Sequence, residues 1–377
     1  MIFGASIWWD LITGPRRFIQ EASRLIREGH SIMLQISQDT PWRSELRLQI
    51  EPQSKTSKSI MVLDFEDTYD GTDFDNYILN QIAPQKANDY RAHVHGNIQN
   101  FITMENLLSD RILWIKGITQ QHNSRWQELF SQWKSSIGQL VLELTHNQER
   151  NLVKLGKNKS HLYDLDFITS EDNRVFVSML CREMSENATH QRYLTSLLVH
   201  MCGMDAEVSS ACLEESDFLK EDPLEIITKV YNKHFFGGFR GSSSNKMIEH
   251  PFYHIKNDNR SALEKRVRKA QVEVFFPIIE DIRMDFINLH TDTLRRIMPS
   301  SDRFGKAVHS VYDMDINMVV SCIETNRNRD KDAKIIYYSE EFKSIRKFRD
   351  IRNRLAHAEV LNLSEVQIMI QWNRKIS

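Results

Sequence analysis

Several groups of side chains in the 377-residue chain have types and spacings that could do chemistry. Near the C-terminal end, "RDIRNRLAHAEVL" (Arg349–Leu361) holds Arg352, Asn353 and His357. Arginine is a fixed planar cation, and histidine changes charge near neutral pH. Asp64, Glu66 and Asp67 gather at the end of an apolar run, and carboxylate clusters of this kind can bind Mg²⁺. His93 and His95, in "HVH", could begin a metal site, but no third ligand stands at a useful spacing. Lys265, Arg266, Arg268 and Lys269, in "LEKRVRKAQ", form a basic helical turn that is either a solvated face or a track for phosphates. No Gly-x-Ser-x-Gly elbow is present.

Each group also has an ordinary structural explanation. Arg352 and His357 are five residues apart, so on an ideal helix they diverge by roughly 140°. One copy builds no tight site unless the helix ends or bends near Leu355, or two chains bring their motifs together. A histidine near a helix C-terminus also meets the negative end of the dipole. The acidic cluster reads better as a solvated strand end. A metal-dependent DNA nuclease built on it lacks a lysine at a recognisable spacing. The sequence therefore predicts no metal site.

The elements that must position these groups follow from periodicity. "SIMLQI" (Ser31–Ile36), "SIMVLDF" (Ser59–Phe65), "RILWIKGI" (Arg111–Ile118) and "QLVLELT" (Gln139–Thr145) are short apolar runs bounded by polar residues. Amphipathic helical patterns alternate with them, beginning with Phe18, Ile19, Ala22, Leu25 and Ile26 and closed by Gly29 as a C-cap. This alternation predicts a parallel sheet with helices on its faces. From about residue 170 the pattern turns helical. "GGFRGSSSN" (Gly237–Asn245) is the clearest breaker and reads as a flexible connector. Beyond it, Ser261–Met298 reads as one or two long helices that Pro277 should kink or divide. In the helix around Arg352, Ile345, Phe348, Ile351 and Leu355 form the stripe that packs inward. Ser364 is a candidate N-cap for the last helix. The final stretch predicts an antiparallel helical bundle.

Composition bounds the rest. Hydrophobic residues make up 41% and charged ones 27%, while 13 Gly and 8 Pro argue against extended disorder and a turn-rich all-β fold. A net charge of -2 announces no global basic field for nucleic acid, though it permits a local basic groove. Cys181, Cys202, Cys212 and Cys322 form no Cys-x-x-Cys pair, which suits free thiols in a reducing cytoplasm. The N-terminus lacks the basic and long apolar regions of a signal peptide, and no apolar run reaches membrane-spanning length. The expected localisation is cytoplasmic, with no membrane contact.

"RNRLAH" resembles the signature of HEPN domains, in which Arg-polar-x-x-x-His closes the last long helices of an α-helical bundle. "KAQVEVFFPIIEDIR" (Lys269–Arg283) is similar to the long helix of HEPN domains fused to ATPase-like modules in bacterial defence proteins. The resemblance covers roughly Lys246–Ser377. It implies metal-independent RNA cleavage, usually in a homodimer. His357 would then be the general acid/base and Arg352 the holder of the scissile phosphate. Asn353 would orient the phosphate or the histidine. Lys265, Arg266, Arg268, Lys269, Arg349 and Arg354 are the candidate RNA-binding residues.

The N-terminal layout over Trp8–Leu144 resembles that of STAND-type ATPases: Gly14 with Arg16 or Arg17, a helix, Gly29, then an apolar strand. The resemblance implies that a Gly-x-x-x-x-Gly-Lys-[Ser/Thr] loop follows. The sequence instead reads "SQDTPWRSELRLQ", with neither glycine nor lysine. Asp39 brings negative charge and Pro41 removes a donor, so no nucleotide cofactor is expected.

The expected organisation is a degenerate P-loop-like α/β domain over 1–165, a helical or winged-helix-like segment over 166–245, and a HEPN-like bundle over 246–377. The expected function is a bacterial defence or toxin-type effector that cleaves tRNA or mRNA. A non-hydrolysing sensor domain and a protein or phage-derived trigger would control it. The alternative is a non-catalytic interaction subunit whose bundle only dimerises or docks a partner.

Overall fold

A computed structural model describes residues 2–65, 69, 71, 73–118, 120–134, 136–146, 156–215, 217–238, 240–241 and 249–372. Five parallel strands form one sheet: β1 (Ser31–Ser37), β2 (Ser59–Asp64), β3 (Arg111–Ile118), β4 (Gln139–His146) and β5 (Lys159–Tyr163). All seven β1 residues are buried, as the centre of a parallel sheet covered on both faces requires. The first four strands lie where the apolar runs predict them. β5, "KSHLY", was not predicted: it is an edge strand whose first three positions are only half-buried, so it carries no apolar run.

The strand order is β2-β3-β4-β1-β5. Ile32 pairs with Val141 on one side of β1 and Ser160 on the other. The chain leaves β1 for the far edge at β2, whereas it leaves β4 for β5 at the opposite edge. These neighbouring strands thus send their crossovers in opposite directions. The crevice outside their carboxyl ends is the switch point, where open α/β sheets bind ligands.

The flanking helices include α1 (Thr13–Arg27), α2 (Leu46–Ser54), α3 (Phe74–Ile82), α4 (Ile98–Met104) and α5 (Asn123–Gln132). The stripe Phe18, Ile19, Ala22, Leu25 and Ile26 of α1 is buried, as its spacing predicts. Gly29 ends the helix at φ +84°, a left-handed position that glycine adopts without penalty. There the amide of His30 reaches the carbonyl of Leu25, and that of Gly29 reaches Ile26, both at 3.0 Å. Phe65, Phe74, Tyr77, Phe101, Trp126 and Phe130 belong to a hydrophobic core that includes Leu63, Leu113 and Leu142 of the sheet.

Contacts within the chain group it into two compact units. The first comprises residues 1–176, 202–211 and 235–253, and the second 177–201, 212–234 and 254–377. The second is helical. α6 (Ser170–Met184), α8 (Ala206–Glu215) and α10 (Pro251–Lys256) each begin in the first unit and end in the second, which also takes α7 (Ala188–Cys202), α9 (Pro223–Val230) and α11 (Arg260–Leu289). α12 (Thr291–Ile297), α13 (Ile316–Asn326), α14 (Lys331–Tyr337), α15 (Glu340–Ala356) and α16 (Leu363–Gln371) complete it.

Pro277 does not divide α11, which runs unbroken for 30 residues. It stands exposed on the outer side, while Val274, Phe275, Ile279 and Ile282 bury the inner side. Packing on that side holds the helix across the missing N–H. Nor does Ser364 cap the last helix. Asn362 does, accepting from the Glu365 amide at 3.0 Å in a capping box. No helix among the described residues is long and apolar enough to cross a membrane.

Candidate functional sites

α15 carries the Arg-Asn-x-x-x-His set. Ser339 caps it through the Phe342 amide at 3.1 Å, and Glu340 and Glu341 occupy the first turn. Phe342, Ile345, Phe348, Ile351 and Leu355 are buried, confirming the inward stripe. That burial turns Arg352 and Asn353 to half-buried positions and leaves His357 exposed.

The Arg352 guanidinium lines a cavity of about 540 Å³ with Phe276, Arg283, Tyr312 and Asp315. Arg283 is 8% exposed and already committed, donating to the Met314 carbonyl at 2.6 Å and pairing with Glu280. Arg352 makes no ion pair among the described residues. Its Nη1 donates to Asn353 Oδ1 at 3.2 Å. Asn353 in turn exchanges two hydrogen bonds with Asn317 of α13, at 2.9 and 3.1 Å. Asn353 is thereby a bracket between two helices that also steadies the arginine.

The helix ends at His357. The amide of Glu359 reaches the Arg354 carbonyl at 3.0 Å and that of Ala358 reaches Leu355 at 3.3 Å, with Ala358 left-handed at φ +67°. The His357 ring makes no hydrogen bond among the described residues, so its nitrogens face solvent. Within one chain Arg352 and His357 share a helix but no bond, as their spacing predicts.

The candidate RNA-binding side chains divide. Lys265 and Lys269 are exposed one turn apart on α11. Arg268 instead donates through Nε and Nη2 to the Leu355 carbonyl at 3.0 and 2.9 Å, capping the end of α15 from a neighbouring helix. Arg266 donates to the Met201 carbonyl at 2.9 Å. Arg349 is paired with Asp350, and Arg354 with Glu359 and Glu365. These four arginines are engaged within the helical unit.

The metal candidates are placed only in part among the described residues. Asp64 pairs with Lys116, while Glu66 and Asp67 lie outside the described residues. His93 and His95 sit on one exposed turn, where His95 Nδ1 accepts from the Arg91 amide at 3.0 Å. No group of three potential ligands occurs among the described residues.

The carboxyl end of the sheet contains a polar network that the sequence conceals. The loop after β1 donates its backbone to carboxylates: Ser37 N to Asp164 Oδ2 at 2.7 Å and Trp42 N to Glu207 Oε2 at 2.7 Å. Thr40 Oγ1 adds a bond to Asp164 Oδ2 at 2.5 Å. The Asp39 amide turns back to Ser37 Oγ at 3.2 Å and that of Thr40 to the Ser37 carbonyl at 3.3 Å. Arg240 pairs with both Asp205 and Glu207, and His250 Nε2 lies 3.1 Å from Asp205. The Asp39 carboxylate accepts from the Gly241 amide at 3.1 Å.

Burial pushes the Asp205 carboxyl up, but Arg240 and His250 more than offset it and hold it below the ordinary range. Glu207 goes the other way: burial outweighs Arg240, so its pKa is raised. Arg240 falls inside the stretch read as a flexible connector, of which residues 239 and 242–245 lie outside the described residues. Its only sequence signal is an arginine among glycines and serines.

No family model, no curated protein and no solved structure matches the chain.

Proposed function

We propose that the chain is a metal-independent endoribonuclease of the bacterial defence or toxin type, with α15 as its HEPN-like catalytic helix. The observation that carries this reading is the state of Arg352 and His357. Arg352, with no ion pair among the described residues, lines a cavity of about 540 Å³, and an exposed histidine ends the same helix. In the reaction the ribose 2′-oxygen attacks the adjacent phosphorus and the 5′-oxygen leaves, giving a 2′,3′-cyclic phosphate. His357 takes the 2′-OH proton or supplies one to the leaving oxygen. Arg352 holds the phosphate oxygens as charge builds on them. Because the two side chains diverge on one helix, the complete site takes Arg352 and His357 from two copies of the chain. The N-terminal unit, similar in layout to a STAND-type ATPase, serves as a sensor that engages a partner without hydrolysing nucleotide.

The test is RNA cleavage in EDTA by wild type, Arg352→Ala and His357→Ala. Cutting by wild type alone supports the reading. A folded His357→Ala chain that cuts at the wild-type rate sinks it.

A second reading, a non-catalytic subunit whose bundle dimerises or docks a partner, is favoured by two observations. Asn353 is spent on Asn317, and four of the six candidate RNA-binding side chains are internally engaged. Induced expression separates the two. Growth arrest lost in both single variants supports the nuclease, and the absence of arrest in wild type supports the docking subunit.

A further inference from the structure

A parallel sheet of this order offers its ligand site at the carboxyl ends of β1 and β4. Where the ligand is a phosphate, the loop after the first strand binds it with backbone N–H groups, helped by glycines and a lysine. The residues here do not fit that group. The Ser37 amide and the Thr40 hydroxyl already hold Asp164, and the Trp42 amide holds Glu207. Asp39 and Thr40 turn their amides back onto Ser37, and Pro41 has none. Asp164 is 2% exposed, so this carboxylate is not a surface group that could swing aside into water. It receives a third bond from its own neighbour, Leu165 N to Oδ1 at 2.7 Å.

The charge balance points the same way. Asp39 stands in the loop, Asp164 and Glu207 hold its donors, and Asp205 follows through the Arg240 it shares with Glu207. Arg240 is committed to two of them. Arg43, the next cation in the chain, acts electrostatically on the buried Glu143. A nucleotide phosphate arriving at this loop would meet carboxylates on the donors it needs, and like charges so close are strongly unfavourable.

We propose that the N-terminal unit is self-liganded: Asp164 and Glu207 stand where an oxyanion ligand would be held, and they keep the switch point closed to nucleotide. Asp164 is the principal stand-in, reaching the end of β1 from just beyond β5. This inference holds whether or not the helical unit cuts RNA.

Thermal unfolding of the full chain tests it. Wild type should show no shift in melting temperature with Mg·ATP, Mg·ADP or inorganic phosphate at millimolar concentration. A saturable rise with any of them overturns the proposal. Asp164→Gly, which removes the stand-in and leaves space, should melt lower than wild type by more than about 3 °C. Acetate or formate, at ionic strength matched with chloride, should return at least half of that loss while leaving wild type unmoved. An Asp164→Gly chain that no small oxyanion restores overturns the proposal. If that variant does not fold, Asp164→Asn takes its place, keeping one acceptor oxygen and losing the charge. It should be less stable than wild type in urea and should lose its dependence on the Asp164 charge, and a stability equal to that of wild type overturns the proposal.

Discussion

Replacing Asn317 by alanine should weaken the fold and the candidate site together. The side chain exchanges two hydrogen bonds with Asn353, at 2.9 and 3.1 Å, across the α13–α15 contact. Both residues are half-buried, so neither bond is freely replaced by water. At about 1 kcal/mol net per bond, the pair contributes roughly 2 kcal/mol, and an orphaned Asn353 amide adds part of its desolvation cost. Asn317→Ala and Asn353→Ala should therefore each lose about 2 kcal/mol, and the double variant little more. The resulting coupling is about 1–2 kcal/mol. Urea unfolding of all four proteins measures it. Cleavage by the same four gives a second reading, because Asn353 also receives Arg352 Nη1 at 3.2 Å. If Asn353 acts by steadying the arginine, the two single variants lose activity alike. A coupling below about 0.3 kcal/mol refutes the bracket. Activity lost in Asn353→Ala but kept in Asn317→Ala refutes the positioning argument and puts Asn353 on the substrate.

Ala358→Gly should stabilise the chain by about 0.5–1 kcal/mol in urea, because relief of left-handed strain outweighs the added freedom of the unfolded chain. Arg240→Ala should cost about 3–5 kcal/mol by calorimetry, since it strands the buried Asp205 and half-buried Glu207 without their cation. Asp205 has a lowered folded pKa, so its contribution is present above its unfolded value near 4 and is lost as pH falls through the lower folded value. Asp205→Asn should therefore flatten the acid limb of the stability curve below about pH 4, read from urea midpoints. Cys181 and Cys322 are buried, and burial pushes both thiols up to about 11. Mass spectrometry should find neither alkylated at neutral pH until denaturant is added.

The parts of this molecule legible in sequence are those where one physical demand dominates. β1, β3 and β4 are continuous apolar runs because a central parallel strand is covered on both faces. The buried stripe of α15 follows from helical period alone. β5 escaped because its edge position lets lysine, serine and histidine stand half-exposed. Asn317 and Arg268 escaped because their partners lie 36 and 87 residues away, a distance over which periodicity says nothing. Four arginines read as candidate RNA-binding residues are engaged within the chain, and the connector "GGFRGSSSN" supplies a half-buried cation. Charge tells a reader where solvation is costly to lose, but not whether the compensating carboxylate is on a ligand or elsewhere in the same chain.

The position of β1 between β4 and β5 bears on how the protein is born. The hydroxyl of Ser31 waits for the Leu140 amide, 109 residues later, and the amide of Ser37 waits for Asp164, 127 residues later. Synthesis at about 5–20 residues per second spends roughly 5–20 s between Ser31 and Leu140. Throughout that interval a strand that is buried along its whole length in the folded chain has neither neighbour, and non-local pairing of this kind is slow even afterwards. While the N-terminal segment is still bound to the ribosome, its unpaired strand is therefore an aggregation hazard of the kind that chaperones cover.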